Sequence, residues 1–205
     1  MDNEKFQDKS NTFNIACIIM ASGSGSRFGG CKLLAPLAGR PLLAYALQAT
    51  AGLFAARAVI TRSSEIAALC GKENVPCLLH AEPGQNDTVR LGISETKGCR
   101  PDGYIFCVGD QPLLKRSTLE ALCRAFCREP QYIWRTASGS RPGNPVVFPA
   151  RMAGELMQLP RDKGGSYLAK KYPELVRTIQ VQDICELYDV DTADDLEHLQ
   201  LLVSP

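Results

Sequence analysis

Ile18-Ile19-Met20-Ala21-Ser22-Gly23-Ser24-Gly25-Ser26-Arg27-Phe28-Gly29-Gly30-Cys31-Lys32-Leu33 is the stretch on which the reading of the chain turns. The apolar run from Ile15 to Ala21 predicts a buried strand, because it is too short for an ordinary helix. It empties into a loop with four glycines, three serines and two cations. Small residues let backbone N–H groups approach a ligand, and consecutive N–H groups can form a concavity for anions. Arg27 and Lys32 place full positive charges on either side of the turn. Such a loop suits a polyphosphate.

Two familiar phosphate loops nearly fit and both fail. The dinucleotide fingerprint needs Gly-x-Gly-x-x-Gly, but Gly25 is followed by Ser26-Arg27-Phe28, so the third glycine comes one residue late. Val59-Ile60-Thr61 runs into Arg62-Ser63-Ser64, so no acidic residue closes the second strand. The P-loop needs Lys directly after its second glycine, whereas Gly30 is followed by Cys31, and Lys32 by Leu33 instead of Ser or Thr. A plain Gly/Ser turn with solvated charges is the alternative.

The chain has 205 residues with a formal net charge of +1. That length suits one α/β domain, or one with a small appendage, and the charge excludes a whole-chain basic field for nucleic acid. The apolar runs fall far short of a membrane span. The first dozen residues are polar with no signal-peptide core, so residues 1–13 are read as a disordered tail and 14–205 as one domain. Nine cysteines are present, with no Cys-x-x-Cys pair. Cys17 and Cys107 lie in strand-like runs, and Cys123 and Cys127 on a predicted helix. Free thiols in a reducing cytoplasm fit better than disulfides, and His80 and His198 are isolated from any cysteine cluster that would suggest zinc.

After the loop, Pro41 opens a helix through Leu42, Leu43, Ala46 and Leu47. Ala56 to Thr61 is a strand, Ser64 to Cys70 a short helix, and Val75 to His80 a third strand. Gly84-Gln85-Asn86-Asp87-Thr88 turns into a helix reaching about Lys97. Gly103 to Gly109 is a fourth strand ending at Asp110, and Ser117-x-x-Glu120 reads as a capping box opening a helix through Leu122 and Phe126. Tyr132 to Ala137 and Gly143 to Phe148 read as strands joined by Ser138-Gly139-Ser140. Ala150 to Leu159 reads as a helix, followed by a Gly-rich cationic turn from Arg161 to Ser166 and a helix holding Tyr167, Leu168 and Lys170. Leu175 to Gln182 and Ile184 to Val190 read as strands, and the last helix starts near Asp191, with Thr192 as its cap. Alternating strands and helices imply an α/β fold with a mostly parallel sheet and right-handed crossovers, with ligands beyond the carboxyl ends of the strands. The glycine loop and Asp110 both follow strands and share that edge. Asp110, held between Gly109 and the Gln111-Pro112 turn, has the restricted freedom of a metal ligand, and magnesium takes oxygen donors. A surface turn is the other reading of it.

Ala21-Ser22-Gly23-Ser24-Gly25-Ser26-Arg27-Phe28-Gly29 followed by Lys32 resembles the signature of nucleotidyltransferases related to molybdenum cofactor biosynthesis, in particular the cytidylyltransferase branch. Relatives usually carry Leu-Ala-Ala-Gly where this chain has Met20-Ala21-Ser22-Gly23. The resemblance runs from about Ile15 to Leu202 and implies a Rossmann-like three-layer nucleotidyltransferase fold. It also implies CMP transfer from CTP to the terminal phosphate of molybdopterin, with Mg2+ as cofactor, no nucleic-acid or membrane partner, and a client molybdenum hydroxylase. By the same resemblance Arg27, Lys32 and Asp110 are catalytic, and residues 21–27 (Ala21, Ser22, Gly23, Ser24, Gly25, Ser26, Arg27) with Lys32 hold the phosphates. Gln85 and Thr88 lie against base and ribose, the alternative being a helix cap at Asp87 or Asn86. Gly109-Asp110-Gln111-Pro112 resembles the metal motif. Asp189-Val190-Asp191-Thr192 resembles an Asp-x-Asp-Thr segment that makes Asp191 the second metal carboxylate, the alternative being a helix cap. Asn144, where relatives carry His, and Asp162, Lys163 and Gly164 face the acceptor, or the latter three form a surface turn. Two other functions stay open: a guanylyl- or sugar-phosphate nucleotidyltransferase, and a non-catalytic cofactor carrier or insertion chaperone.

Overall fold

The computed structural model describes residues 13–23, 25 and 28–203. Strand β1 (Phe13–Ala21) contains the apolar run expected from the sequence, and it begins at Phe13, one residue inside the expected tail. The remainder of that expected tail lies outside the described residues. A 3-10 turn at Lys32–Leu34 leads to a small hairpin of β2 (Pro36–Leu37) and β3 (Arg40–Pro41), then α1 (Leu42–Thr50), β4 (Phe54–Thr61), α2 (Ser64–Lys72), β5 (Cys77–Leu79) and α3 (Gln85–Thr96). There follow β6 (Gly103–Val108), α4 (Arg116–Arg128), β7 (Ile133–Ser138), β8 (Arg141–Pro149), α5 (Ala153–Met157), α6 (Ser166–Lys171), β9 (Val176–Gln180) and α7 (Ala193–Val203).

Seven strands form one sheet in the order β5-β4-β1-β6-β8-β7-β9. β8 pairs antiparallel with both neighbours and every other pair is parallel. The mostly parallel sheet is therefore present, and β8 alone runs against it. One consequence is that the β7–β8 turn falls on the same edge as the carboxyl ends of β1, β4 and β6.

Strand alternation divides the core as a period of two requires. Ile15, Cys17 and Ile19 of β1 face Leu43, Leu47, Leu119 and Phe126 of α1 and α4. Ala16 and Ile18 face the other layer, with Val89 and Ile93 of α3, Leu156 and Leu168. Both faces of β1 are covered, which is why its sequence is a continuous apolar run and not an alternating one. A third cluster packs Leu196 and Leu199 of α7 and Val190 against Leu37 and Leu42. All nine cysteines are free: Cys17, Cys70, Cys107 and Cys123 are buried, and Cys127 is exposed.

Three local expectations are corrected. Ile184 to Val190 is not a strand: Ile184–Leu187 is a 3-10 turn, capped by Asp183 Oδ1 accepting from the Cys185 N–H at 2.9 Å. Helix α4 has no Ser117 capping box. It starts at Arg116, and the buried carboxylate of Glu186 accepts from the Lys115 N–H at 3.1 Å and from the Thr118 hydroxyl. Glu120 instead reaches Arg116 at 3.2 Å and Arg124 at 3.5 Å along the helix surface. The helical stretch from Ala150 is also shorter than expected, a 3-10 turn over Ala150–Met152 followed by α5.

Candidate active site

Because β1, β4 and β6 run parallel, the residues that follow them gather at one edge. A cleft of about 360 Å³ opens there. Met20, Ser22 and Gly23 form one wall, Gly84, Gln85 and Thr88 of the α3 entry form another, and Val108 and Asp110 close the side beyond β6. Arg62, one residue past β4, and Asp162 complete it.

The glycine loop turns back on itself at Gly25, where φ is +60° and an added Cβ would lie 2.1 Å from the Gly30 carbonyl oxygen. Only glycine satisfies both conditions. The Phe28 and Gly29 N–H groups donate to the Gly25 carbonyl at 2.9 and 3.1 Å, and Phe28 packs on the cluster around Leu42 and Leu196. Ser24, Ser26 and Arg27 lie outside the described residues.

Lys32 is the pivot of the site. Its neighbour Leu33 is buried in the core and holds the 3-10 turn in place. Lys32 Nζ reaches Asp110 Oδ2 at 2.7 Å and Asp191 Oδ1 at 2.9 Å. The side chains of Lys32, Asp110 and Asp191 are 14%, 20% and 40% exposed, so this ion triplet is shielded more than a surface pair. Burial works to lower the Lys32 pKa. The hydrogen bonds and charges of Asp110 and Asp191 outweigh it, and the ammonium titrates above its ordinary value.

The segment carrying Asp191 is tied to the end of β6 by its backbone, since the Val190 N–H donates to the Asp110 carbonyl at 3.0 Å. Next to it, Asp189 Oδ1 accepts from Gln111 Nε2 at 2.9 Å. Desolvation by burial and then the charge of Asp110 push the Asp189 carboxyl up. The helix cap is Thr192: its hydroxyl accepts from the Asp195 N–H at 3.2 Å, and Asp195 Oδ2 accepts from the Thr192 N–H at 2.8 Å. Thr192 does the capping, so the Asp191 carboxylate is turned toward Lys32 instead.

On the opposite wall Asp87 Oδ2 accepts from the Gly84 N–H at 3.2 Å, so Asp87 closes the start of α3 from inside the helix. Thr88 is 1% exposed and lines the cleft, and its hydroxyl is buried with no protein partner among the described residues. Asn86 Oδ1 accepts from the Asp162 N–H at 3.0 Å, and a Cβ on Gly164 would meet the Gln85 side chain at 2.8 Å. The second glycine-rich turn is thereby docked on the α3 entry. Lys163 is exposed beside it. Asn144 sits half-buried in β8, ahead of a cis bond to Pro145, and does not line the cleft.

Two side chains escaped the sequence reading. Arg62 Nε donates to the Ser22 carbonyl at 2.8 Å, and a cation just past a strand end was a usable signal for it. Ser22 Oγ donates to the Ile60 carbonyl at 3.0 Å, so its contact with His80 Nε2 at 2.9 Å is one in which the imidazole donates. His80 Nδ1 is buried without a partner among the described residues; burial, and then the charge of Arg62, hold the ring below its ordinary pKa. No spacing in the sequence links Ser22 to His80.

No group of three or more His, Cys, Asp or Glu side chains among the described residues is placed to cage a metal. Magnesium needs no such cage, being bound through one or two carboxylates with waters and substrate phosphates. The hard oxygen donors of Asp110 and Asp191 suit it.

A glycine turn beside a lysine-linked carboxylate pair, at the carboxyl edge of a mostly parallel sheet, is the setting in which α/β proteins handle nucleoside phosphates. The chain belongs to the MobA-like NTP transferase family, whose model matches residues 17–176. Over 91% of its length it superposes on the protein Rv0371c of Mycobacterium tuberculosis, covering 98% of that chain with a TM-score of 0.79 and 26% identity. The molybdopterin-guanine dinucleotide biosynthesis protein A of Archaeoglobus fulgidus shares the fold, with a TM-score of 0.70 at 15% identity over 91% of this chain and 97% of that one. Among curated proteins it is 35% identical over 116 residues to the bifunctional protein GlmU of Pelobacter propionicus, covering 53% of this chain and 25% of that one. It is 34% identical over 121 residues to the bifunctional enzyme IspD/IspF of Paramagnetospirillum magneticum, covering 55% of this chain and 31% of that one. The chain thus spans about a quarter to a third of the curated relatives it matches. No helix among the described residues is long and apolar enough to cross a membrane.

Proposed function

We propose that the chain transfers CMP from CTP to the terminal phosphate of molybdopterin and releases pyrophosphate. The observation that carries this reading is Lys32 Nζ, held between Asp110 and Asp191 at 2.7 and 2.9 Å at the end of the cleft that begins at the glycine loop. A binding protein needs cations for the phosphates, but has no need to hold a carboxylate pair against a lysine among them.

In this reading the base and ribose lie between Ser22 and the Gln85–Thr88 wall, where the buried Thr88 hydroxyl has hydrogen-bonding capacity to give. The triphosphate lies against the glycine loop that follows β1. An oxygen of the acceptor phosphate attacks the α-phosphorus, the new P–O bond forms, and the bond to the β-phosphate oxygen breaks. Its electron pair leaves on pyrophosphate, so no covalent enzyme intermediate is needed. Arg27, Lys32 and the loop N–H groups neutralise charge that grows on the leaving group. Asp110 and Asp191 are the residues that would hold magnesium, whose contribution when bound is to neutralise and align the reacting phosphates. Lys32 keeps the two carboxylates from repelling each other and stays protonated at neutral pH.

A second reading, transfer to a sugar or polyol phosphate, draws on a solved structure of the same fold, the 4-diphosphocytidyl-2C-methyl-D-erythritol synthase of Anaerococcus prevotii, with a TM-score of 0.75 at 15% identity. Purified protein given magnesium, each nucleoside triphosphate in turn, and either molybdopterin or a panel of sugar and polyol phosphates separates the readings by pyrophosphate release. Release with CTP and molybdopterin supports the first. Release only with another acceptor transfers the assignment to the second.

A further inference from the structure

The segment that brings Asp191 to the end of β6 is tied down at two levels. At the inner one, the Val190 N–H donates to the Asp110 carbonyl at 3.0 Å and Gln111 Nε2 donates to Asp189 Oδ1 at 2.9 Å. At the outer one, Glu186 Oε2 accepts from the Lys115 N–H at 3.1 Å and from the Thr118 hydroxyl. Residues 110–118 and 183–191 therefore run side by side in opposite directions. We infer that Glu186 is a positioning residue for the metal carboxylates: its grip on the start of α4 sets where Asp191 lies against Asp110. The inference rests on the metal role given to Asp110 and Asp191 in the nucleotidyl-transfer reading, and adds what holds them in place.

Three observations carry it. Glu186 is 1% exposed, and its ion-pair contact among the described residues is Lys115 Nζ at 3.9 Å. A carboxylate so buried is costly unless its hydrogen bonds are well made, and the start of a helix supplies donors and a favourable dipole. Second, the inner tie works against repulsion. Asp110, Asp189 and Asp191 bring three carboxylates to one place, and Lys32 Nζ bonds two of them, Asp110 and Asp191. The charges of Asp110 and Asp191 both act on the Asp189 carboxyl. An attachment away from those charges is what resists the separation. Third, the chain between the two ties is short and stiff. Leu187 and Tyr188 alone separate Glu186 from Asp189. The Glu186 N–H donates to the Asp183 carbonyl at 3.0 Å and the Tyr188 N–H to the Cys185 carbonyl at 3.1 Å. Leu187 packs on Gly143, where a Cβ would come within 2.7 Å of it. A displacement at Glu186 is passed on to Asp191 and not absorbed. Magnesium demands near-ideal octahedral geometry, so it is sensitive to that displacement.

Mn2+ is the probe, its unbound fraction read by electron paramagnetic resonance on the full-length protein with saturating CTP. Glu186→Ala is expected to weaken Mn2+ by about tenfold or more, the loss common when a group behind a metal ligand is removed. CTP binding in EDTA should stay within about twofold of wild type. Glu186→Gln, whose carbonyl oxygen can accept from both α4 donors, should recover most of the Mn2+ affinity. Thr118→Val keeps the side-chain shape and removes one donor, so it should shift Mn2+ in the same direction by less; it also serves should the alanine variant not fold. Mn2+ affinity unchanged in Thr118→Val and in any folded Glu186→Ala protein makes Glu186 a cap of α4 alone and overturns the inference. A wild-type protein that binds no Mn2+ overturns it too. Glu186-dependent Mn2+ binding without pyrophosphate release from CTP and molybdopterin upholds the positioning role and removes the reaction. Pyrophosphate release with Mn2+ affinity indifferent to the substitutions does the reverse.

Discussion

Lys32 Nζ lies 2.7 Å from Asp110 Oδ2, so a single ion pair joins the exit of the glycine loop to the end of β6. The pair brings the cation of one motif onto the carboxylate of the other. Asp110→Asn should therefore remove most turnover while leaving far-UV circular dichroism and the thermal midpoint close to wild type. Lys32→Ala should lower kcat on the order of 100-fold, with a smaller effect on CTP binding, if the ammonium meets charge that grows in the transition state. A rise in KM alone would make Lys32 a uniform binding group.

Gly25→Ala tests the loop separately from the charges. At φ +60°, with the Gly30 oxygen 2.1 Å from the new methyl group, the turn must open. CTP affinity should fall by about tenfold or more, roughly 1.4 kcal/mol. The sheet core lies away from this turn, so the thermal midpoint should move little. An alanine variant with wild-type CTP affinity, measured calorimetrically, would contradict the role given to the loop backbone.

His80 supplies a pH dependence. Its folded pKa is held below the ordinary value by burial and by Arg62, so the native state favours the neutral ring. The unfolded ring takes up a proton near pH ~6.5. The stability it contributes is thus complete above that pH and is lost as pH falls through the folded value. Thermal midpoints measured between neutral and mildly acidic pH should fall for the wild type. His80→Gln, which can still donate to Ser22 but does not titrate there, should flatten that limb. An unchanged acid limb in the glutamine variant would assign it to other groups.

The parts of the fold legible in the sequence were those set by local pattern. The Ile15–Ala21 run and the Gly103–Gly109 run are doubly covered strands, and continuous apolar sequence says so directly. Asp110 was legible because it follows such a strand. The Lys32–Asp191 contact was not, since it depends on the Val190 N–H finding the Asp110 carbonyl, a pairing no spacing encodes. Glu186 shows the same limit from the other side. Read locally, Ile184 and Leu187 suggested a strand and Ser117 a cap, whereas Glu186 comes from the distant chain to serve the start of α4. Short apolar runs do not distinguish strand from turn, and caps supplied from elsewhere leave no local trace.

Thr192 and Asp195 make a reciprocal cap that positions Asp191 without involving its carboxylate. Thr192→Ala should cost about 1 kcal/mol in stability, read from denaturant midpoints. The Asp195 carboxyl is held down to about 2, by the Tyr188 hydroxyl first and then the Asp191 and Thr192 N–H groups. Its stabilising contribution is present above the ordinary carboxylate range near ~3.9 and is lost as pH falls toward its folded value. In Asp195→Asn that acid dependence should shrink, and a loss of stability in the variant that is equal at every acid pH would contradict the assignment.

The central claim is nucleotidyl transfer from CTP to molybdopterin, and the fate of the α-phosphorus tests it most directly. CTP labelled at the α-phosphate is incubated with protein, magnesium and molybdopterin, and the products are separated and treated with phosphatase. The account predicts label in a molybdopterin-containing product that resists phosphatase, formed in step with unlabelled pyrophosphate. It further predicts that CTP supports this at least about tenfold better than GTP in kcat/KM, or roughly 1.4 kcal/mol. Label remaining wholly in CTP, or appearing only as free CMP, would contradict it.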